Sequence, residues 1–315
     1  MDNKSNINKK DTRHLILNFL PSIRNYLVKF IPQNSIFFKW MTLIGFRIWA
    51  LIQHKPLKSL TMGVHATDHC NLNCKGCNAF SPIAEEGFLD IQTYKKDIEK
   101  LAELTGNKLL SMFVAGGEPL LHPDINEILN ITREYFIGTK IYIITNGLLL
   151  LKMPEIFWKC CQKNEVEIYI SRYPIKINYD LIKEKAKEYD VIIDIYGGSN
   201  MPIKLMHKFP LDLTGNQTLK RSYNICNEIN SCHIIKNGKI YPCNPIARIV
   251  HFNKYFNKKL EISSEDVLEL KNIVNIEQIY NFLCSPKSFC KYCNRRDAVF
   301  GISFGMSKKE ITEWI

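Results

Sequence analysis

Between residues 61 and 197, short apolar runs alternate with amphipathic stretches, and that alternation restricts the chain to very few folds. Five runs have the length and β-branched content of strands: TMGVHATD, KLLSMFVA, KIYIIT, VEIYIS and VIIDIYG. Helical spacing predicts helices near 91–105, 124–137, 153–162 and 178–189. Strands that alternate with helices require right-handed crossovers, which give a parallel α/β sheet, open or curled into a barrel. After Gly198 the alternation fades, and cysteines dominate from Cys226 to Cys293. The 315 residues are enough for one large domain or two ordinary ones.

Eleven cysteines need a reason. The number is odd, and residues 1 to 12 are polar, with no early apolar run ending at a cleavage site. Clustered thiols without an export signal point to metal in a reducing cytoplasm. The net charge of +11 is unevenly placed. Residues 1 to 60 carry ten Lys or Arg against Asp2 and Asp11, so the body is nearly neutral and makes a poor nucleic-acid binder. The basic arm also holds two apolar patches, HLILNFLPSIRNYLVKFI and SIFFKWMTLIGFRIWALI. The second contains Phe37, Phe38, Trp40, Phe46 and Trp49, broken by Lys39 and Arg47. It is marginal for spanning a bilayer, which takes about 20 apolar residues. A helix lying on a membrane surface and an arm packed on the protein itself or on a second subunit both fit it better.

The unusual residues fall at strand ends. DHCNLNC follows the first strand, GGEP the second, TNG the third and Ser171-Arg172 the fourth. In parallel α/β folds, ligand sites form at the carboxyl ends of strands, so four such segments can share one pocket. Cys70, Cys74 and Cys77 can wrap one corner of an iron–sulfur cube. A [4Fe–4S] cluster normally takes four thiolates, and three leave one iron open to bind a molecule directly. A zinc site completed by a remote ligand such as His65 is the alternative. Gly116 and Gly117 allow close backbone approach to a ligand, and Glu118 offers an acceptor for an ammonium group. Thr145 and Asn146 are ordinary turn residues taken alone, and Ser171 or Arg172 could bind a carboxylate or a ribose hydroxyl. Their joint placement is what carries weight.

Together, the cysteine triad, the GGEP segment from Gly116 to Pro119, TNG at 145–147 and Ser171 resemble the radical S-adenosylmethionine (SAM) enzymes over roughly residues 62 to 215. The resemblance implies a partial (β/α)6 TIM-like barrel whose mouth holds a [4Fe–4S] cluster and SAM. It implies that the open iron chelates SAM, that one electron splits the sulfonium, and that a 5′-deoxyadenosyl radical then takes hydrogen from a substrate. The electron would come from a reductant such as flavodoxin or ferredoxin. The sequence departs from the family at Gly76, where an aromatic residue often stands near the adenine. Phe80, or an apolar residue from strand five, is the expected replacement.

The C-terminal segments CNEINSCHIIKNGKIYPC and FCKYC resemble the shortened SPASM ("twitch") extension of these enzymes, which binds an auxiliary [4Fe–4S] cluster. HIIKNGKIYPC reads as a β-hairpin with an Asn-Gly turn that delivers a cysteine to the metal. Cys226, Cys243, Cys290 and Cys293 are the preferred ligands, Cys232 is the first substitute, and Cys284 is also available. A zinc ribbon from the same thiols is the alternative. Cys160 and Cys161 fall in a helical stretch beside Trp158 and read as core. The expected organisation is a helical arm at 1–61, a barrel at 62–215 and an auxiliary-cluster domain at 216–315. The implied substrate is a peptide, protein or sugar-like molecule, with the loop at 197–217 bordering it. The site of action is cytoplasmic, or peripheral at the inner membrane surface if the arm binds lipid. The rival functions are a zinc-stabilised binding module and an RNA-modifying radical SAM enzyme.

Overall fold

The computed structural model describes residues 60–196, 206–226, 228 and 232–315. The membrane reading of the arm falls on residues 1–59, outside the described residues. Among the described residues no helix is long and apolar enough to cross a membrane.

Five parallel strands form in succession: β1 (Thr61–Thr67), β2 (Ser111–Gly116), β3 (Lys140–Thr145), β4 (Val166–Ser171) and β5 (Ile193–Tyr196). Between them run α1 (Ile91–Thr105), α2 (Ile125–Tyr135), α3 (Glu155–Lys163) and α4 (Tyr179–Glu188). Local chemistry sets their limits. Asp90 caps α1 by accepting from the Thr93 N–H at 2.8 Å, and Gly106 ends the helix at φ 60°. Alternation along the strands sorts their side chains. Met62, Val64, Met112, Val114, Ile141, Ile143, Ile168 and Ile170 are fully buried against the helices. On the other face Phe113, Tyr142 and Tyr169 form a row, with the two tyrosine rings stacked at 4.6 Å.

The result is a mostly parallel, partial TIM-like α/β sheet, but its sixth unit differs from expectation. Strand β6 (Met206–Lys208) pairs antiparallel with β10 (Val299–Ile302) and does not join β5. The sixth parallel position is taken by β7 (Ile234–Lys236), which lies along the other edge of β1. The hairpin expected from KNGK explains this. Asn237 and Gly238 take positive φ (51° and 73°), turning β7 back into β8 (Lys239–Tyr241), which pairs with β9 (Leu268–Glu269). The sheet therefore runs β5-β4-β3-β2-β1-β7-β8-β9 and crosses the boundary placed at residue 215. After the short α5 (Leu219–Asn224), a second apolar core, built on α6 (Asn244–Phe256) and including Phe80, Phe252, Phe289 and Trp314, covers the cysteine-bearing side.

Two outcomes test this packing. Gly63 sits in β1 beneath the Phe113 ring, which a Cβ there would overlap. Gly63→Ala should lower stability by about 1–3 kcal/mol, the usual range for overpacking, and Gly63→Ala/Phe113→Leu should recover part of it in urea titrations. His233, beside β1, is fully buried with one nitrogen 3.0 Å from the Thr61 carbonyl. Burial pulls its pKa down to about 4, against that hydrogen bond. The native imidazole is neutral, so its contribution is complete above about pH 6.5, the unfolded value, and is lost as pH falls toward 4. His233→Gln should flatten that part of the stability–pH curve.

Candidate active site at the strand ends

The loop leaving β1 carries Cys70, Cys74 and Cys77 and is held mainly by its neighbours. The end of β2 makes the first attachment, with the Gly117 N–H donating to the Thr67 carbonyl at 2.9 Å and the Glu118 N–H to the His69 carbonyl at 3.1 Å. A Cβ on Gly117 would overlap the His69 carbonyl, and one on Gly116 (φ +133°) would overlap that of Thr67. The close approach that the glycines permit is therefore to the cysteine loop itself.

The C-terminal tail makes the second attachment. The Lys75 N–H donates to the Gly305 carbonyl at 2.8 Å, the Ser307 N–H to the Asn73 carbonyl at 2.9 Å, and the Trp314 indole to the Cys77 carbonyl at 3.0 Å. Glu313 accepts from the Gly76 N–H at 3.2 Å. Gly76 has φ +65°, and its Cβ position lies 3.2 Å from the Glu313 carbonyl, which accounts for glycine where an aromatic residue is usual.

Arg248 of α6, fully buried, is the third attachment. Its guanidinium donates to the Ala79 carbonyl at 2.6 Å, the Thr67 carbonyl at 3.2 Å, the Ser81 hydroxyl at 3.4 Å and the Asp68 carbonyl. One charged group thus spans both ends of the cysteine loop. The Asp68 carboxylate lies 3.2 Å from Arg248, 2.9 Å from Lys236 and 3.6 Å from His251. Burial pushes its pKa up, but His251, Arg248 and Lys236 outweigh that and hold it well below the usual carboxylate range. His65 belongs to this network, 3.3 Å from the Arg248 guanidinium, and its pKa is driven down by burial and then by Arg248. A histidine facing a buried cation is badly placed as the fourth ligand of a zinc ion.

The three thiols line a cavity of about 250 Å³ together with Gly116, Gly117, Glu118, Thr145, Asn146 and Ser171. The sequence had grouped these residues, and the strand ends bring them together. Pro119 and Arg172 do not line it. Pro119 is buried in a 3-10 turn, and the Arg172 guanidinium lies over the Tyr179 ring at 5.6 Å, turned toward α4. Glu118 has a structural task, with its carboxylate accepting from the Thr145 hydroxyl at 2.6 Å, the Asn146 N–H at 2.9 Å and the Leu120 N–H at 3.2 Å. Burial raises its pKa to about 7 against those bonds. Both oxygens are committed to fastening β2 to β3, which leaves little for an ammonium group.

Several cavity residues were not singled out from the sequence. Tyr173 lies against the Cys74, Cys77 and Cys70 thiols, and burial is the main reason its pKa stands well above the usual phenol value. Its signal was its place two residues beyond Ser171, on the same side of an extended chain. Met206, His207 and Phe209 form part of the wall and come from the described part of the loop expected to border the substrate. Asn244, also on the wall, had no local signal. Phe80 faces elsewhere, packing on Phe252 at 5.7 Å and Trp314 at 6.2 Å.

The donor set suits a metal cluster. Burial pushes the Cys70 thiol up to about 12, against the Leu72 N–H that reaches its sulfur at 3.3 Å. A thiol so placed ionises readily only beside a cation. Among the described residues no three His, Cys, Asp or Glu side chains converge closely enough for a single ion. A second group of thiols lies behind α6. Cys243 is buried and Cys293 half-buried. Burial raises both thiols, with Cys293 and Cys226 adding to it at Cys243 and Cys290 and Cys226 adding to it at Cys293. Cys290 is raised to about 11 by burial, with Cys226 adjoining. Cys226 and Cys290 share a small apolar cluster with Tyr223. Cys284 lies near Tyr223, and Cys232 lies beside Tyr142 on the inner face of β3, drawn there by the pairing of β7 with β1. Cys160 and Cys161 are buried in α3, as expected.

A cysteine loop after the first parallel strand thus faces glycine and polar strand ends across one cavity of a parallel α/β sheet. Residues 64–195 match the family model of the radical SAM superfamily. The chain is 35% identical over 95 residues to the antilisterial bacteriocin subtilosin biosynthesis protein AlbA of Bacillus subtilis (strain 168), a match covering 29% of this chain and 20% of AlbA. It is 36% identical over 102 residues to the S-adenosylmethionine-dependent nucleotide dehydratase of Selenomonas ruminantium, covering 31% and 35%. Among solved structures it is similar to BtrN in complex with AdoMet and 2-DOIA, with a TM-score of 0.44 and 16% identity over 76% of this chain and 94% of BtrN. The chain spans only 20% to 35% of the length of the two curated relatives.

Arg248→Ala should cost on the order of 3–5 kcal/mol, because it leaves Asp68 and four loop acceptors without their buried partner. Arg248→Lys keeps the charge but loses the fork and should fall between. Thermal or urea unfolding reads both variants without requiring bound cofactor.

Proposed function

We propose that the chain is a radical SAM enzyme that uses two iron–sulfur centres to modify a peptide or sugar-like substrate. The observation that carries this reading is the convergence of Cys70, Cys74 and Cys77 on one cavity with the ends of β2, β3 and β4. These three thiolates would hold the [4Fe–4S] cluster. When bound, the cluster supplies the electron that splits SAM into methionine and a 5′-deoxyadenosyl radical able to take hydrogen from an unactivated carbon.

The protein's own residues bind, orient and shield. Gly116, Gly117 and Ser171 line the part of the cavity that would hold SAM. The Asn146 side chain, which donates to Asn71 at 2.8 Å and accepts from the Leu148 N–H at 2.9 Å, fixes the β3 end beside them. The Tyr173, His207 and Phe209 rings supply the wall against which adenine packs and from which water is excluded. Glu118 keeps the β2 and β3 ends in register by holding Thr145 and Asn146.

Cys226, Cys243, Cys290 and Cys293 would hold the auxiliary cluster, because their thiols adjoin one another under burial. Residues 216–315 would then be an auxiliary-cluster unit grafted onto the barrel sheet through the β7–β8 hairpin. The similarity to a bacteriocin biosynthesis protein favours a peptide over a sugar-like substrate. We place the reaction in the cytoplasm, with electrons from a flavodoxin or ferredoxin. The basic, apolar segment 1–61 has the composition of a membrane-surface helix. A protein lacking residues 1–60 that distributes as the full chain does would remove the membrane element.

Anaerobic reconstitution should give about eight irons per chain, four for each cluster, and dithionite with SAM should release 5′-deoxyadenosine. Cys74→Ala should abolish that release. Cys243→Ala should retain release with about four irons, and Cys232→Ala should leave the iron content unchanged. Release at the wild-type rate from Cys74→Ala would overturn the assignment of the triad, and zinc without iron would favour a binding module.

A further inference from the structure

Arg295 carries a buried charge that its neighbours among the described residues do not fully satisfy. It follows Cys293 by two residues, in the turn Arg295–Asp297, and its side chain is 3% exposed. Nε and Nη1 are buried without a hydrogen-bond partner among the described residues. Nη2 approaches Glu228 only to 4.0 Å. The ring of Phe209 covers one face of the guanidinium at 4.3 Å. Lys287 is another buried cation close to these thiols, but it donates to the Ser285 hydroxyl at 2.8 Å.

Folding a guanidinium into an apolar site with open donors is costly unless an acceptor of opposite charge completes it. The small cavity at Arg295, bordered by Asn78, Phe209 and Cys293, measures about 10 Å³, room for little more than one water and too small for a dissolved anion. Burial opposes the charge on Arg295, but Cys226, Glu228, Cys293 and Cys243 around it hold its pKa above the ordinary guanidinium value. Three of those four groups are thiols assigned above to one metal centre. Glu228 also accepts from Asn78, the residue after Cys77, at 2.6 Å, which ties the acid beside Arg295 to the first cysteine loop.

We propose that Arg295 is a positioning residue for the auxiliary iron–sulfur centre, directing its open N–H donors at the centre's sulfurs and raising its reduction potential. The inference rests on the assignment of Cys226, Cys243, Cys290 and Cys293 to that centre. The sign follows from charge. Reduction adds negative charge to the centre, and a fixed cation beside it favours the reduced form.

The test uses the full chain carrying Cys70→Ala, Cys74→Ala and Cys77→Ala, which leaves only the auxiliary centre. About four irons per chain after reconstitution upholds the ligand assignment, and no iron overturns both that assignment and this inference. Redox titration followed by electron paramagnetic resonance then compares Arg295→Gln and Arg295→Met with the parent. At the parent's midpoint, the neutral variants should show a reduced-to-oxidised ratio about tenfold lower, equivalent to about 59 mV for one electron. An unchanged midpoint with full iron content would make Arg295 a structural filler and overturn the inference. If both neutral variants lose their iron, Arg295→Lys decides. It keeps the charge but not the two-donor fork, so a midpoint below the parent's upholds the inference and an unchanged one overturns it.

Discussion

The cysteine loop depends on a guanidinium it does not contain. Arg248 donates to Thr67 and Asp68 where the loop begins and to Ala79 and Ser81 where it ends. A segment that must present three thiols to one cavity cannot also satisfy its backbone in regular structure, so its carbonyls need donors from elsewhere. Arginine suits this because its donors are planar, fixed in direction and charged at any relevant pH. The charge in turn requires Asp68, which Lys236 and His251 help to hold ionised.

This arrangement also explains why the C-terminal region is inseparable from the barrel. Arg248 lies on the helix that begins directly after Cys243, and β7 extends the sheet beside β1. The tail at 305–314 closes over the loop through Gly305, Ser307, Glu313 and Trp314. The two thiol groups are therefore built into one continuous structure. Asn78 of the first loop donates to Glu228 at 2.6 Å, and Arg248 of α6 donates to Ala79, so both regions share fixed contacts.

Much of the fold was legible because its signals are local. Strand and helix periods in residues 61–196 reflect which face of each element meets the core, and neighbouring residues carry that information. The KNGK turn was legible for the same reason, since Asn and Gly tolerate the positive φ that a two-residue hairpin needs. The destination of the hairpin was not. The sixth parallel strand, β7, lies beside β1 and not beside β5, where a continuing barrel would put it, and no local pattern distinguishes one free sheet edge from another. The site divides in the same way. Cys70, Cys74 and Cys77 announce themselves by spacing, while Arg248 in NPIARIVHF reads as an ordinary solvated helix residue.

The sequence by itself determined the alternation that makes a parallel α/β sheet and the spacing of the cysteine triad on the loop after its first strand. It also determined the strand ends on which the polar residues fall. Tertiary structure decided which of those residues face the cavity. It turned Arg172 away and recruited Tyr173, His207 and Phe209. It committed Glu118 to bracing strands and gave the two glycines to backbone packing. The physical reason is range. Periodicity and turn preference act over a few residues, whereas a buried charge or donor is answered by whatever the fold brings within about 3 Å, however distant in the chain.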